Sequence, residues 1–429
     1  MEPLRILMVA PQPFFRPRGT PLSILHRVRA LNRLGHRVDL LTYPFGSDPA
    51  LPGLTIRRSA RLPLIRDVSI GPSFAKLFLD VPLFAAARRA VRAGDYDLLH
   101  THEEAGILGG FLSQRHGIPH VYDMHSSLPQ QFETFGRFAW RPVVAGFERL
   151  ERFALAHSAG VITVYPRLED AVRSRGYGGP LVLLENTLEL ERGPSRPEAV
   201  EALQRRLGLT GRHPVVYTGT LEAYQGMDLL VEAGRLLGQR LPAVKVVSVG
   251  GTQEQIDRLR RQAERLGAAE LFAFVPAVPP GEVFLYHELA EALVTCRTRG
   301  TNTPLKLYQY LRSGKPIIAT DIPAHTQVLD QEVAELVAPT PEGLALGIER
   351  VLSRPDRGRE MARRARARHE EHYGETRHLE ALRHFLEAVL EAVLGGPAGK
   401  GERASRTPAA KSRAASGGEP KRRPAGGAG

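Results

Sequence analysis

The stretch GTNTPLKLYQYLRSGKPIIAT, residues 300–320, predicts a polar turn, a short helix closed by Gly314, and then a buried strand. Lys306 falls in the first turn of that helix. Because the N-terminus of a helix is already positive, a cation placed there costs about 0.3–1 kcal/mol. A negative ligand would reverse the sign of that effect, so the position of Lys306 indicates an anion site.

The residues around Lys306 define the predicted helix start. Thr303 followed by Pro304 predicts an N-cap and a first helical residue, which places Lys306 at the third helical position. Its charge would then lie beside free backbone N–H groups, and both would hold a diphosphate. Gln309, one turn later, would hydrogen-bond a ribose or a base. The alternative is a solvated lysine followed by an exposed, helix-friendly glutamine.

Short apolar runs alternate with longer amphipathic spans along most of the chain. The helix-like spans include residues 20–35, 225–239 and 253–266. The apolar runs lack strict alternation, which is typical of parallel strands covered on both faces. These runs are LRILMVA, HRVDLLTY, YDLLHT, PHVYD, AGVITV, LVLL, HPVVYTG, AVKVVSVG, ELFAFV, EALVTC and KPIIAT. The sequence therefore predicts an α/β protein built from repeated strand–helix–strand units.

A polar segment rich in Gly and Pro, ENTLELERGPSRPEAVEAL, separates the two halves of the chain. It predicts one doubly wound, Rossmann-like domain over residues 1–188 and a second over 189–370. Residues 371–394 would form a terminal helix, and residues 395–429 a basic tail. Ligands of doubly wound sheets bind at the carboxyl ends of strands, so two facing domains predict a deep cleft.

The basic tail and the overall composition indicate which partners the protein binds and which cell compartment it occupies. The tail contains eight Lys or Arg and two acidic residues, half of the chain's net charge of +12, and has almost no bulky apolar residue. We therefore expect it to be disordered and solvated, and we expect no specific nucleic acid partner; RNA or anionic lipid is the alternative. The single cysteine, Cys296, follows a strand, where a small buried residue in a reducing compartment is expected. No apolar run approaches the roughly 18–20 residues that span a bilayer or suits a signal peptide, so we expect a cytoplasmic protein.

Glycine-containing turns follow several predicted strands. Such turns let a backbone approach a ligand closely, and the helix start that follows them can hold an anion. In the first half, Arg16 and Arg18 would add positive charge; the alternative is an ordinary proline-rich loop. The residues expected to line a diphosphate, a ribose or a base in these turns are Gly19, Thr20, Gly219, Thr220, Gly250 and Val275.

Histidines follow two predicted strands of the first half, in LLHTHEEAG and VYDMHSSLPQQ. His100, His102 and His125 would be able to collect a metal, but their spacing is unlike that of a closed zinc site. We therefore expect no metal, and we expect His125 to hydrogen-bond a ligand in the cleft. His100 is expected to pack inside.

The segment GPSFAKLFLDVPLFAAARRAVRAG has apolar residues at helical spacing. The stripe expected to face inward consists of Phe74, Leu77, Phe78, Val81 and Ala85. A crossover helix packed on the sheet has this amphipathic signature, and we prefer that interpretation. The alternative is a peripheral contact of the first domain with the inner face of a membrane that carries a lipid acceptor.

With these motifs, nearly the whole chain resembles the family 4 glycosyltransferases, which are nucleotide-sugar enzymes of the GT-B fold. VAPQPFFRPRGTPLS is similar to the family's N-terminal glycine loop, and DLLHTHE to its H-x-H strand end. DMHSS resembles the histidine loop that faces the donor sugar, and YTGTLEAYQGMDLLVEA the opening of the donor domain. TPLKLYQYLRSGKPIIAT resembles the signature helix and is the most specific match. The terminal helices fit the family's habit of crossing back to the first domain.

The chain departs from the family pattern at four ligand positions. The family usually has an arginine where this chain has Thr220 and a lysine where it has Gln225, and those cations hold the donor diphosphate. It also pairs two glutamates, on the sugar and the ribose, where this chain has Thr301 and Gln309. The resemblance implies that Thr301, Asn302 or Thr303 would bond a sugar hydroxyl and Gln309 a ribose hydroxyl. Lys306 would supply the missing phosphate charge.

The resemblance implies a retaining, hexosyl-type transferase that uses a nucleoside-diphosphate sugar as a substrate and needs no other cofactor. His125 and Lys306 are the expected catalytic residues: His125 would position the sugar and Lys306 would stabilise the leaving diphosphate. The acceptor would be a cell envelope polysaccharide or other glycan, a lipid-linked sugar or a small molecule. Two alternatives are a non-catalytic GT-B scaffold that partners an active transferase, and a GT-B sugar-nucleotide epimerase.

Overall fold

The computed structural model describes residues 1–15, 19–63, 65, 67–68, 74–127, 141–185 and 197–395. Arg16 and Arg18, the predicted boundary at residues 188/189 and almost all of the predicted basic tail lie outside the described residues.

A seven-stranded parallel sheet organises the first half of the chain. Its strand order is β3-β2-β1-β4-β5-β6-β7. The strands are β1 (Arg5–Ala10), β2 (Arg37–Thr42), β3 (Leu54–Arg58), β4 (Leu98–His102), β5 (His120–Met124), β6 (Gly160–Thr163) and β7 (Leu181–Leu183). The described helices are α1 (Gly19–Arg33), α2 (Phe74–Ala93), α3 (Ala105–His116), α4 (Arg141–Ala156) and α5 (Pro166–Ser174). The strand order reverses between β1 and β4, so a ligand crevice is expected at their carboxyl ends.

A six-stranded parallel sheet organises the second half, in the order β10-β9-β8-β11-β12-β13. Its strands are β8 (His213–Thr218), β9 (Val244–Val249), β10 (Phe272–Val275), β11 (Ala292–Thr295), β12 (Ile317–Thr320) and β13 (Glu335–Val337). Its helices are α6 (Pro197–Arg206), α7 (Met227–Arg240), α8 (Gln253–Arg265), α9 (Val283–Leu289), α10 (Lys306–Ser313), α11 (Pro323–Thr326), α12 (Pro341–Ser353) and α13 (Pro355–His372). The chain thus has the two doubly wound sheets of the GT-B architecture.

The last described helix, α14 (Glu375–Gly395), returns to the first sheet. Its buried side chains Leu382, Phe385 and Val389 share a hydrophobic core with Ile6 of β1. A Cβ on Gly160 would lie 2.4 Å from Val389, so the glycine at the start of β6 lets the helix approach the sheet closely. The predicted terminal helix therefore packs on the first domain, although the structure starts it at Glu375 rather than at residue 371.

Every strand predicted from the sequence is present, within two residues of its predicted ends. The sequence prediction missed two strands. β3 lies at the edge of its sheet and alternates between half-buried and exposed residues, and β13 has only three residues. Neither strand has the buried apolar run that identifies the others. No described helix combines the length and the apolar character needed to cross a bilayer.

Helix α2 packs on the first sheet, in agreement with the preferred interpretation. The prediction of which apolar side chains of the helix face the core was wrong. Leu79, Leu83 and Ala87 are fully buried in the core with β1 and β2. Leu77, Phe78 and Val81 are 61%, 64% and 68% exposed. The helix is apolar on more than one face, so spacing alone did not decide which face is turned inward.

Candidate active site

Three strand ends lie side by side at the carboxyl edge of the second sheet. The Gly219 N–H donates to the carbonyl of Val249, and the Gly250 N–H donates to that of Val275, both at 2.9 Å. Gly219 and Gly250 have φ of 142° and 127°, in the region that favours glycine. A Cβ on Gly250 would lie 2.0 Å from the Gly219 carbonyl oxygen, so only glycine allows the two turns to touch. The structure therefore brings Gly219, Gly250 and Val275 into one row.

The signature helix α10 begins at Lys306, later than predicted. Leu305 is its N-cap and makes no side-chain cap, so the predicted Thr303 cap was wrong. The Leu307 N–H donates instead to the Pro304 carbonyl at 3.0 Å, which makes a turn ahead of the helix. Lys306 is thus the first helical residue rather than the third. It still lies in the first turn, where an anion is favoured.

The Lys306 ammonium points at the row of glycine turns. Its Nζ lies 3.7 Å from the centre of the Tyr217 ring, and a Cβ on Gly219 would be 3.0 Å from it. The Nζ atom is buried and has no hydrogen-bond partner among the described residues. Burial lowers the pKa of Lys306 to about 7; the Cys296 thiol opposes this shift and the Arg297 charge adds to it. A buried amine without a counter-charge is costly, and an anionic ligand would remove that cost.

Thr220 and Gln225, which replace the usual cations, lie beside the same turn. The Gln225 amide donates to Thr220 Oγ1 at 3.4 Å. Gln225 is 8% exposed, and its Oε1 has no partner in the described part of the chain. Rotating the amide by 180° would let Thr220 donate to Oε1 and would place the Gln225 N–H groups at the buried position that Oε1 now occupies. Both residues therefore keep hydrogen-bonding capacity, without charge.

The loop before α10 contacts the first domain. Asn302 Nδ2 donates to the His125 carbonyl at 3.3 Å. Thr301 Oγ1 donates to Asn302 Oδ1 at 3.3 Å, and Thr303 Oγ1 is buried. Gln309 is half-buried, one turn after Lys306. The structure thus brings the predicted sugar-binding residues of the two domains together across the cleft.

His125 belongs to a buried cluster at the ends of β4 and β5. Its Nε2 lies 3.0 Å from His102 Nδ1. Asp123 Oδ2 accepts from Arg27 Nε at 2.8 Å and from His100 Nε2 at 3.2 Å. Burial alone would raise the pKa of Asp123, but Arg27 and the histidines hold it well below its usual range. The carboxylate is therefore ionised, and His100 is inside, as expected.

Ligand atoms of His100, His102 and Asp123 lie within 4.8 Å of one another, a set that could hold a metal ion. Arg27 donates to the same carboxylate, so its guanidinium already supplies the counter-charge and competes with a metal. The prediction of no metal therefore stays a prediction, with this ion pair in its favour.

The first glycine turn leads directly into helix α1. Gly19, with φ of 40°, is the first residue of α1, and Thr20 is the second. Thr20 Oγ1 donates to Glu103 Oε1 at 2.8 Å. Glu103 also accepts from Gln12, and its φ of 50° is unusual for a residue other than glycine. Strained backbone of this kind clusters at functional sites.

Sequence reasoning missed four residues at these two strand edges. Glu103 and Asp123 adjoin the histidines that were identified, so an acidic residue at a strand end was a usable signal. Arg27, inside α1, and Arg297, after β11, gave no signal. Arg297 donates to the backbone carbonyls of Arg299 and Asn302 at 2.9 and 2.8 Å, and thereby shapes the loop that carries Thr301 and Asn302.

Comparison with known proteins gives two family matches that divide the chain as the sheets do. The model for Glycosyltransferase Family 4 matches residues 17–192, and the model for Glycosyl transferases group 1 matches residues 201–368. The chain is 26% identical over 410 residues to the D-inositol 3-phosphate glycosyltransferase of Acidothermus cellulolyticus, covering 88% of this chain and 84% of the relative.

Two further similarities are to a relative that matches a shorter segment and to a solved structure. The chain is 30% identical over 150 residues to the GDP-mannose-dependent alpha-(1-6)-phosphatidylinositol monomannoside mannosyltransferase of Mycolicibacterium smegmatis, covering 34% of this chain and 39% of the relative. The fold superposes on Anabaena Alr3699/HepE, crystallised in complex with UDP, with a TM-score of 0.70 at 17% identity over 90% of this chain and all of that one. This similarity confirms the fold.

Proposed function

Because the chain belongs to glycosyltransferase family 4, we propose that it transfers a hexosyl group, with retention, from a nucleoside-diphosphate sugar to an acceptor held by its first domain. The sugar nucleotide is a substrate, and the transfer requires no further cofactor. The second domain holds the donor, with its diphosphate at the row formed by Gly219 and Gly250.

One observation carries this proposal: the buried Lys306 ammonium lies over the Tyr217 ring, has no hydrogen-bond partner among the described residues, and points at the Gly219 turn. A diphosphate in that place would accept from Lys306, from the backbone N–H groups at the start of α10, and from the turned amide of Gln225. Thr220 would orient that amide. The Gly19 turn would face the diphosphate from the first domain, with Thr20 tied to Glu103.

Bond cleavage builds negative charge on the departing nucleoside diphosphate. The Lys306 ammonium and the fixed helix and turn dipoles would stabilise that charge without reorganising, which is electrostatic catalysis. We nominate no protein nucleophile. In our mechanism the acceptor attacks the face that the leaving phosphate departs from, and a phosphate oxygen takes the acceptor's proton, so the configuration is retained.

The remaining predicted residues would position the donor. His125 would bond a sugar hydroxyl from the first domain, while Thr301, Asn302 and Thr303 would do so from the second. Gln309 would bond the ribose, and the backbone of Gly250 and Val275 would face the base. The Asn302 contact with the His125 carbonyl supports a sugar position between the two domains.

We further propose that the acceptor is lipid-linked and that the first domain meets it at the inner, cytoplasmic face of a membrane. Leu77, Phe78 and Val81 form an exposed apolar face of α2. The adjoining Lys76 and Asp80 pair with Glu104 and Tyr43 at the carboxyl edge of the first sheet, so this face borders the acceptor side of the cleft. The name of the mannosyltransferase relative also states a phosphatidylinositol-based acceptor.

Nucleotide binding tests the donor site directly. We expect the wild-type protein to be stabilised by one of UDP, GDP or ADP, and Lys306→Met to lower the affinity for that nucleotide at least tenfold, because the charge on the diphosphate loses its partner. Calorimetry or thermal shift measures both. Lys315→Met is the matched control: this lysine, beyond the far end of α10, donates to the Glu288 carbonyl. Unchanged affinity in Lys306→Met would contradict the proposed donor site.

The two alternatives give different results in the same experiments. A non-catalytic scaffold, which the four neutral replacements make credible, would be stabilised by no nucleotide or sugar nucleotide. An epimerase would convert its sugar nucleotide in the absence of any acceptor.

A further inference from the structure

His125 is held by the neighbouring strand. His102, the last residue of β4, lies in register with Asp123 of β5, two residues before His125. The contact between His102 Nδ1 and His125 Nε2 is 3.0 Å, and His102 is fully buried. The ring of His125 therefore rests against a side chain that is itself fixed by the sheet.

Asp123 lies beside His125 but makes no hydrogen bond to it within the described ranges. Its Oδ2 is taken by Arg27 and His100. Its Oδ1 is 3.4 Å from His125 Nε2 but makes no hydrogen bond within the described ranges. Within the described part of the chain, the one hydrogen bond of the His125 ring is therefore the one with His102.

The hydrogen bond between the two imidazoles decides which nitrogen of the His125 ring can bond a ligand. Burial lowers the pKa of His102 well below its usual value, so its ring is neutral and offers one donor and one acceptor. With Nε2 of His125 engaged, only Nδ1 remains to bond a ligand. The tautomer at His102 Nδ1 determines which proton His125 presents.

We propose that His102 is a positioning residue: it orients the His125 ring and sets its tautomer, so that Nδ1 meets a hydroxyl of the donor sugar. This inference rests on the proposed function. The Asn302 amide of the other domain donates to the His125 backbone carbonyl, and His102 bonds the His125 ring. Both the backbone and the ring of His125 are therefore held in place. Arg27 and Asp123 keep the surrounding charge balanced.

The test separates sugar contact from nucleotide contact. UDP with UDP-glucose, and GDP with GDP-mannose, are titrated into the wild type, His102→Phe and His102→Asn, and the affinity ratio of sugar nucleotide to nucleotide is measured. We expect His102→Phe, which keeps the ring shape without ring nitrogens, to lower that ratio about tenfold, or about 1.4 kcal/mol. His102→Asn, whose amide lies near the Nδ1 position, is expected to restore the ratio to within about threefold of the wild type.

Each other outcome overturns the inference. An unchanged ratio in His102→Phe means that His102 does not act on the sugar. A parallel loss of nucleotide and sugar-nucleotide affinity, or no rescue by His102→Asn, means that its role is structural. If the wild type binds none of the four ligands and ADP does not bind either, the proposed function falls first; if only ADP binds, the ratio is measured with ADP and ADP-glucose. If His102→Phe does not fold, the ratio in His102→Asn and His102→Gln decides, because only Asn reaches the Nδ1 position.

Discussion

At the scale of single residues, Lys306 supplies positive charge to the proposed donor site. Thr220 and Gln225 are neutral where the family resemblance implies cations, but the Lys306 ammonium lies at the adjoining Gly219 turn. Its burial without a hydrogen bond or a counter-charge among the described residues costs stability, which the contact with the Tyr217 ring offsets only in part. A ligand that supplies negative charge would explain a lysine in this position.

This interpretation predicts a pH dependence of donor binding. The pKa of Lys306 is lowered to about 7, and a bound diphosphate favours the protonated form. The affinity for a sugar nucleotide, whose diphosphate does not titrate near neutrality, should therefore be constant below about pH 7 and fall by up to about tenfold per unit above it. Calorimetry from pH 6 to 9 in the wild type and Lys306→Met measures the effect. The same pH slope in both proteins would contradict the assignment.

At the scale of elements, α2 buries one apolar stripe and exposes another. Leu79, Leu83 and Ala87 fill the core, while Leu77, Phe78 and Val81 remain outside. Further along the same side, Arg88 and Arg92 of α2 and Arg115 of α3 lie near His116, whose pKa is lowered by burial and then by these three charges. An apolar face beside a basic cluster is what an anionic membrane surface attracts.

Replacing the exposed face should separate membrane binding from donor binding. We expect Leu77→Ser, Phe78→Ser and Val81→Ser, combined, to lower binding to phosphatidylglycerol vesicles more than tenfold, because each side chain contributes about 1.5–3 kcal/mol when buried. Nucleotide affinity should not change. Leu346→Ser, at an exposed leucine of the second domain, is the control. Wild-type vesicle binding by the triple variant in cosedimentation would refute the proposed membrane face.

At the scale of the whole molecule, polar contacts hold the two domains together. Gln327 Oε1 accepts from the Arg167 N–H at 3.3 Å, and its Nε2 donates to the Thr301 carbonyl at 2.7 Å. Tyr308 donates to Glu185 at 3.0 Å. Each such bond contributes about 0.5–1.5 kcal/mol. Together they favour a closed cleft over an open one but still allow the domains to separate.

Gln327 is therefore expected to act on affinity from outside the site. Gln327→Ala should lower the affinity for sugar nucleotide about three- to tenfold, because a smaller closed population lowers the apparent affinity. Thr326→Ala is the control, since the Thr326 hydroxyl donates to the carbonyl of Ile322, the residue before its own helix. Titration of both variants, with small-angle scattering of the ligand-free proteins, measures the effect; equal affinity and equal radius of gyration would show that Gln327 does not hold the cleft closed.

The sequence alone determined the two-sheet architecture and predicted which residues line the site. Continuous apolar runs identify buried parallel strands because their signal is local, and the stretch 300–320 indicated an anion site through Lys306. The edge strand β3 and the three-residue strand β13 were not predicted, because each has too few buried apolar residues to form such a run.

Only the tertiary structure decided which atoms meet. It showed that Lys306 begins its helix and points at Gly219, that His125 bonds His102, and that Leu77, Phe78 and Val81 face outward. Arg27 is 96 residues from Asp123 along the chain, so no local sequence pattern predicts their contact. Periodicity reports the faces that a helix or strand has, whereas the inward face and the partner of each buried polar group depend on non-local packing.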